Sequence, residues 1–115
     1  MPEPMFDERA MKMLHRVGGE KLVDKMGSLF AANAPLRLQS LEDALRSGEP
    51  AAGANIAHSL KSSAGQVGAS GLQRLCDELE SACNTGNLDK AWELLRAARE
   101  QLPAAIACVQ TWKPN

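Results

Sequence analysis

The sequence predicts an all-α domain, an antiparallel up-down four-helix bundle with an additional short helix at its N-terminus. Three observations predict it. Eighteen Ala and fifteen Leu dominate the chain, while Val, Ile and Thr together supply eight residues, too few to cover the pleated faces of a sheet. Apolar residues recur at three- and four-residue steps, the helical period. The runs are joined by connections of a few residues, which force successive helices to run antiparallel. A chain of 115 residues buries roughly two-thirds of its unfolded surface. One domain over residues 1–115 therefore needs no metal or disulfide staple.

The elements follow in order. A short helix is expected over about residues 7–17, with Asp7 as its N-cap, an apolar stripe of Ala10, Met11 and Leu14, and a stop at Gly18-Gly19. It is too short to be stable alone and should lie against the bundle as a lid. The bundle proper, about 20–112, opens with a long helix over 20–47. Leu22, Met26, Leu29, Phe30, Ala34, Leu38, Leu41 and Leu45 form its apolar face. Pro35 interrupts that helix, and a kink or break near residues 31–34 is expected from the lost hydrogen bond and the crowded preceding turn. Ser47-Gly48-Glu49-Pro50 reads as stop, turn and fresh start.

The next helix covers about 50–68. Ser70 is expected to cap the one after it, whose core side is Leu72, Leu75, Cys76, Leu79, Ala82 and Cys83. Asn84-Thr85-Gly86 ends that helix. The last starts at Asn87 and carries Leu88, Trp92, Leu95, Leu102, Ile106 and Val109. Pro103 does not shift the phase of this pattern, so a single bent helix is expected.

Charge and composition exclude several functions. Thirteen Lys and Arg against fourteen Asp and Glu leave a net charge of −1, without a basic run. Nucleic-acid binding calls for a cationic footprint, and single-strand binding also for aromatic platforms. Two Phe, two Trp and no Tyr provide few. No apolar stretch approaches the length of a membrane span, and no signal peptide opens the sequence, so a cytoplasmic protein is expected. The odd set Cys76, Cys83 and Cys108 contains no CxxC pair and reads as reduced, buried small hydrophobes.

The third helical stretch carries more than scaffold. With His58 at zero on a helical wheel, Ile56, Leu60 and Val67 fall within about 20° of the opposite side. Lys61, Ser62 and Gly65 fall within about 60° of His58 itself. The outward face thus presents an imidazole, an ammonium, a hydroxyl and bare backbone. Glycine inside a helix costs about 1 kcal/mol relative to alanine. Gly65 is read as clearance that lets another protein approach His58, and Gly68 as the helix stop.

Imidazole is largely neutral at pH 7 and offers a nitrogen lone pair. An exposed one is a competent nucleophile toward phosphorus. Lys61, about a turn away, is positioned to neutralise phosphoryl oxygens, and Ser62 to add a hydrogen bond. No Gly-rich nucleotide loop, GxxxxGK[ST] motif or Mg²⁺-binding carboxylate cluster lies in this helix. The chain is expected to receive and pass a phosphoryl group without autonomous kinase or ATPase activity. His15 lacks such neighbours, since Gly18 stands where a helical lysine would be needed. It is expected to be a solvated or helix-end imidazole. A zinc site from His15, His58 and the cysteines would need residues facing opposite directions to converge, so no metal site is expected.

The run Ala57-His58-Ser59-Leu60-Lys61-Ser62-Ser63-Ala64-Gly65-Gln66-Val67-Gly68-Ala69 resembles the signature of histidine-containing phosphotransfer (HPt) domains, approximately A-H-x-L-K-G-x-A-x-x-[LIV]-G. The resemblance extends over about residues 20–112. It implies a four-helix bundle in which His58 takes a phosphoryl group from the aspartyl phosphate of one receiver domain and gives it to another. Lys61, Gly65 and Gly68 match family positions, whereas Ser62 replaces the glycine usual after the lysine. The partners implied are response-regulator receiver domains and a hybrid sensor histidine kinase, with no nucleic acid and no membrane. Mg²⁺ would belong to the receiver, leaving this chain without a cofactor, and a monomer is the simplest state. The docking surface should be an apolar ring around His58, drawn from outward members of Leu29 to Leu36 and from Met5 or Phe6. The alternative is a non-catalytic helical module that binds a receiver or histidine kinase without accepting phosphate.

Overall fold

The computed structural model describes residues 5–115. Among them are four helices and no strand: α1 Arg9–Arg46, α2 Pro50–Gln66, α3 Ser70–Asn84 and α4 Leu88–Thr111. Each helix packs on its two neighbours around a ring, with α1 closing against α4. This is the expected up-down bundle around one core.

The two helical stretches expected at the N-terminus form one element broken at Gly19, the single residue of α1 outside helical geometry (φ 68°, ψ −161°). That left-handed backbone is open to glycine at no steric cost. The arm before the break is more than a lid, because Met11 is completely buried in the core. No break occurs before Pro35, since residues 31–34 keep helical geometry. Pro35 sits on the exposed side of α1. There its ring meets solvent, and water can satisfy the carbonyl it frees. Pro103 likewise lies within one continuous helix.

The caps differ in detail. Glu8 occupies the N-cap of α1, and Asp7, one residue earlier, still serves the helix end by accepting from the Arg9 N–H at 3.0 Å. Ala69, not Ser70, is the N-cap of α3. Asn87 caps α4 as expected, accepting from the Lys90 N–H.

Alanines fill much of the core. Ala91, Ala98 and Ala105 repeat every seventh residue of α4 and are completely buried, as are Ala57 and Ala64 of α2. Small contact residues let helix axes approach more closely than leucines would. Two expected core leucines, Leu29 and Leu88, are instead exposed. Cys76 and Cys83 are buried free thiols and Cys108 is half-buried; burial pushes the Cys76 thiol up to about 12. No described helix is long and apolar enough to cross a membrane.

The turn between α2 and α3 anchors the N-terminal segment. Gly68 adopts φ 79°, its carbonyl accepts from the Asp7 N–H at 2.8 Å, and the Gly71 N–H donates to the Met5 carbonyl at 2.9 Å. A side chain at Gly68 would land on the Asp7 carbonyl oxygen. Gly68→Ala is therefore expected to cost about 1–2 kcal/mol in left-handed backbone alone. It should also detach residues 5–7, read as a lowered Tm and faster amide exchange at Asp7 and Gly71. An unchanged Tm would contradict this account.

Candidate functional site

The buried face of α2 is Gly53, Ala54, Ala57, Leu60 and Ala64, continued by Val67 in the following turn. Its centre is rotated by about 50° toward the Lys61 side from the one drawn through Ile56, Leu60 and Val67, and Ile56 is only half-buried. The reason is that alanine buries as readily as the larger apolar residues when a neighbouring helix comes close. This rotation decides what each polar side chain meets.

His58 remains on the outer face, with its side chain 60% exposed. Lys61 is brought to the edge of α3, only 26% exposed. Its ammonium donates to Glu80 Oε1 at 2.8 Å and to Asp77 Oδ1 at 3.2 Å. Glu80 uses its other oxygen, Oε2, to meet His58 Nδ1 at 3.0 Å. One carboxylate therefore ties the imidazole to the lysine. Lys61 is a tethered cation beside His58, not the free one the sequence implied.

The protonation states follow. The Lys61 ammonium, with a smaller contribution from His58, holds the Glu80 carboxyl below the usual carboxylate range. Glu80 first, and then Asp77, raises Lys61 above the usual lysine range. An ionised carboxylate accepts and cannot donate, so Nδ1 carries the proton. The lone pair is then on Nε2, the nitrogen turned away from Glu80. A folded-state pKa that is depressed supports the fold above the ordinary glutamate range. That support is lost as pH falls through the depressed value.

The remaining expected site residues divide. Ser62 is exposed beyond His58. Gly65 is not open shelf alone, because a Cβ there would lie 2.6 Å from the Gln73 amide nitrogen of α3. Glycine lets that side chain lie across the helix, so the clearance is shared between an intramolecular contact and the outer face. Gly68 is buried beneath Asp7 and belongs to the α2–α3 turn. Phe6 packs against the core, and Met5 joins the α2–α3 turn through its backbone, about 15 Å along α2 from His58. Neither surrounds the imidazole. His15 packs edge-on against Trp112, ring centroids 6.3 Å apart.

Sequence reasoning missed Gln73, Asp77 and Glu80. They form a polar stripe on α3 that meets α2 antiparallel, Gln73 against Gly65, Asp77 against Lys61 and Glu80 against His58. The signal was present in the three- and four-residue spacing of those polar residues, each the next residue after Leu72, Cys76 or Leu79 and so flanking the apolar stripe by about 100°. The short α2–α3 turn fixes their direction.

On the other flank of His58, Leu29 and Asn33 of α1 face Ser63 and Gln66 of α2 across a groove of about 140 Å³ floored by Phe30. Leu29 and Leu36 of α1 are exposed, 46% and 67%.

A family model described as "Hpt domain" matches residues 25–112. The fold is also similar to the crystal structure of histidine-containing phosphotransfer protein B (HptB) from Pseudomonas aeruginosa PAO1, at 27% sequence identity and a TM-score of 0.87. The match covers 95% of this chain and 94% of that one. No curated protein sequence gives a significant match.

Proposed function

Given that this chain belongs to the Hpt domain family and acts in histidine phosphotransfer within a phosphorelay, we propose that His58 is the residue that carries the phosphoryl group, on Nε2. The observation that supports this most directly is the Nδ1–Glu80 contact at 3.0 Å, which leaves Nε2 as the free nucleophile on an exposed face. Orienting one ring nitrogen through a bond to the other is the general way proteins select an imidazole tautomer.

The Nε2 lone pair attacks phosphorus of a receiver's aspartyl phosphate. The P–O bond to the aspartyl carboxylate breaks, and that carboxylate leaves with the electron pair. The ring, keeping its Nδ1 proton, becomes cationic opposite Glu80, which stabilises it. Return transfer reverses each step onto another receiver's aspartate. Lys61, already beside the ring, neutralises phosphoryl oxygens by exchanging part of its contact with Asp77. Phosphoryl transfer depends mainly on positioning and charge neutralisation, and the receiver brings its own carboxylates and Mg²⁺. No cofactor of this chain's own is needed.

Interaction with receiver domains and kinases follows from the family. A hybrid sensor histidine kinase as donor, a monomeric state and a cytoplasmic location complete the reading. Leu29, Leu36 and the adjoining groove form the docking face, with Ser62 at its margin. The test is to mix the protein with a phosphorylated receiver domain. Acid-labile, base-stable label should appear and map by mass spectrometry to the peptide holding His58, with a ³¹P NMR signal of Nε2-phosphohistidine. Label on any other residue, or receiver binding without label, would overturn it.

A further inference from the structure

We propose that Arg37 is the anchor by which this protein grips a carboxylate on the docking face of its receiver domain; the inference rests on the relay reading above. Arg37 stands on α1 and its Nη1 donates to Ser59 Oγ at 2.5 Å. Ser59 follows His58 directly, so α1 delivers a guanidinium to the flank of the reactive helix away from α3. Its Nε is buried without a hydrogen-bond partner, and the side chain borders the groove formed with Leu29, Asn33, Ser63 and Gln66.

Charge is what makes this position unusual. Arg9, Arg46 and Arg99 each meet a carboxylate. Arg37 is half-buried, yet its hydrogen bond in the described residues is to a neutral hydroxyl. The residues one turn away on α1, Asn33, Ala34, Ser40 and Leu41, are all uncharged. The acids near His58, Glu80 and Asp77, are on α3, and Lys61 engages both.

Holding a cation partly out of water without an anion costs free energy, and the fold gains only one hydrogen bond from it. A partner's carboxylate removes that cost. The planar fork suits it, since Nη2 is still available beside Nη1 for a two-point contact. The exposed leucines supply apolar contact in the same footprint. Arg37 then fixes orientation, so that the receiver's aspartyl phosphate arrives in line with Nε2.

The experiment uses the full chain and a cognate receiver domain. Arg37→Gln removes the charge while keeping a polar side chain at the edge of the bundle, and should retain the wild-type circular dichroism and a Tm within a few degrees. Its receiver Kd, by calorimetry, should rise about five- to twentyfold, with a shallower salt dependence. In phosphotransfer KM should rise in parallel, with kcat changed less than about twofold. Arg37→Glu should bind more weakly still, and reversing one acidic residue on the receiver face should restore it. Labelling of His58 by phosphoramidate, which needs no partner, should be unchanged. An unaltered Kd and salt slope overturns the anchor. So does a fall in kcat with a shortened phosphohistidine half-life, which would place Arg37 on the phosphoryl group instead. Failure of phosphoramidate and receiver alike to label wild-type His58 would reject the relay reading separately, because the binding comparison stands without transfer.

Discussion

A His58→Gln protein is expected to take up no phosphoryl group from a phosphorylated receiver, with label below detection at times when the wild type is fully charged. Glutamine retains the size and much of the polarity of the imidazole but has no nitrogen lone pair able to attack phosphorus. The ring is exposed and outside the core, so Tm should move by no more than a few degrees. Receiver binding should persist, since Leu29, Leu36 and Arg37 are untouched. Loss of label with retained fold and binding separates a chemical role from a structural one. Uptake of label by this variant would remove His58 from the mechanism. Loss of binding as well would make the side chain a docking contact first.

The second large effect is expected at Glu80. Glu80→Ala deletes the acceptor of Nδ1–H and one of the two carboxylates holding Lys61. The ring then samples both tautomers and loses the charge that stabilises its cationic phosphorylated form. Transfer should slow by at least about tenfold to a hundredfold, the range typical when the carboxylate orienting a metal-ligating histidine is removed. Glu80→Gln keeps an acceptor without charge and should fall between, with its deficit mainly in kcat. The phosphohistidine NMR signal should become a mixture of Nδ1 and Nε2 isomers in the alanine variant, a readout that a merely structural role for Glu80 would not move. A single Nε2 signal at wild-type rate would refute the assignment.

The pH behaviour follows in sign. Since Lys61 holds the Glu80 carboxyl below the usual range, the network stays charged through the ordinary glutamate titration and is lost at more acid pH. In Lys61→Met the Glu80 carboxyl should titrate higher, as read by ¹³C NMR.

Much of the fold was legible because it depends on local rules. The repeat of Leu and Ala at helical spacing, Gly48 before Pro50 and Asn87 at a helix start each act within a few residues. The Gly18-Gly19 break was readable for the same reason. A break at Pro35 was expected but is absent, because its cost depends on which side of the helix it faces, and only the packed bundle shows that it faces water. Ser70 misled because a capping residue one position from the helix start satisfies the same composition as one at the cap.

For the site, the sequence by itself determined which residues share the outer face of α2. His58, Lys61, Ser62 and Gly65 lie within one arc of any helix with this spacing, and the surrounding motif gave that arc its chemistry. Tertiary structure alone decided the partners. The alanine-rich contact turned α2 toward α3, placed Lys61 on Glu80 and Asp77, set the His58 tautomer through Glu80, and laid Gln73 across Gly65. It also set Arg37 beside Ser59, 22 residues away in the chain. Helical periodicity fixes direction within one helix, whereas contacts between helices depend on their relative rotation and register. Those are settled by the volume of every side chain in the interface at once, which no single stretch of sequence encodes.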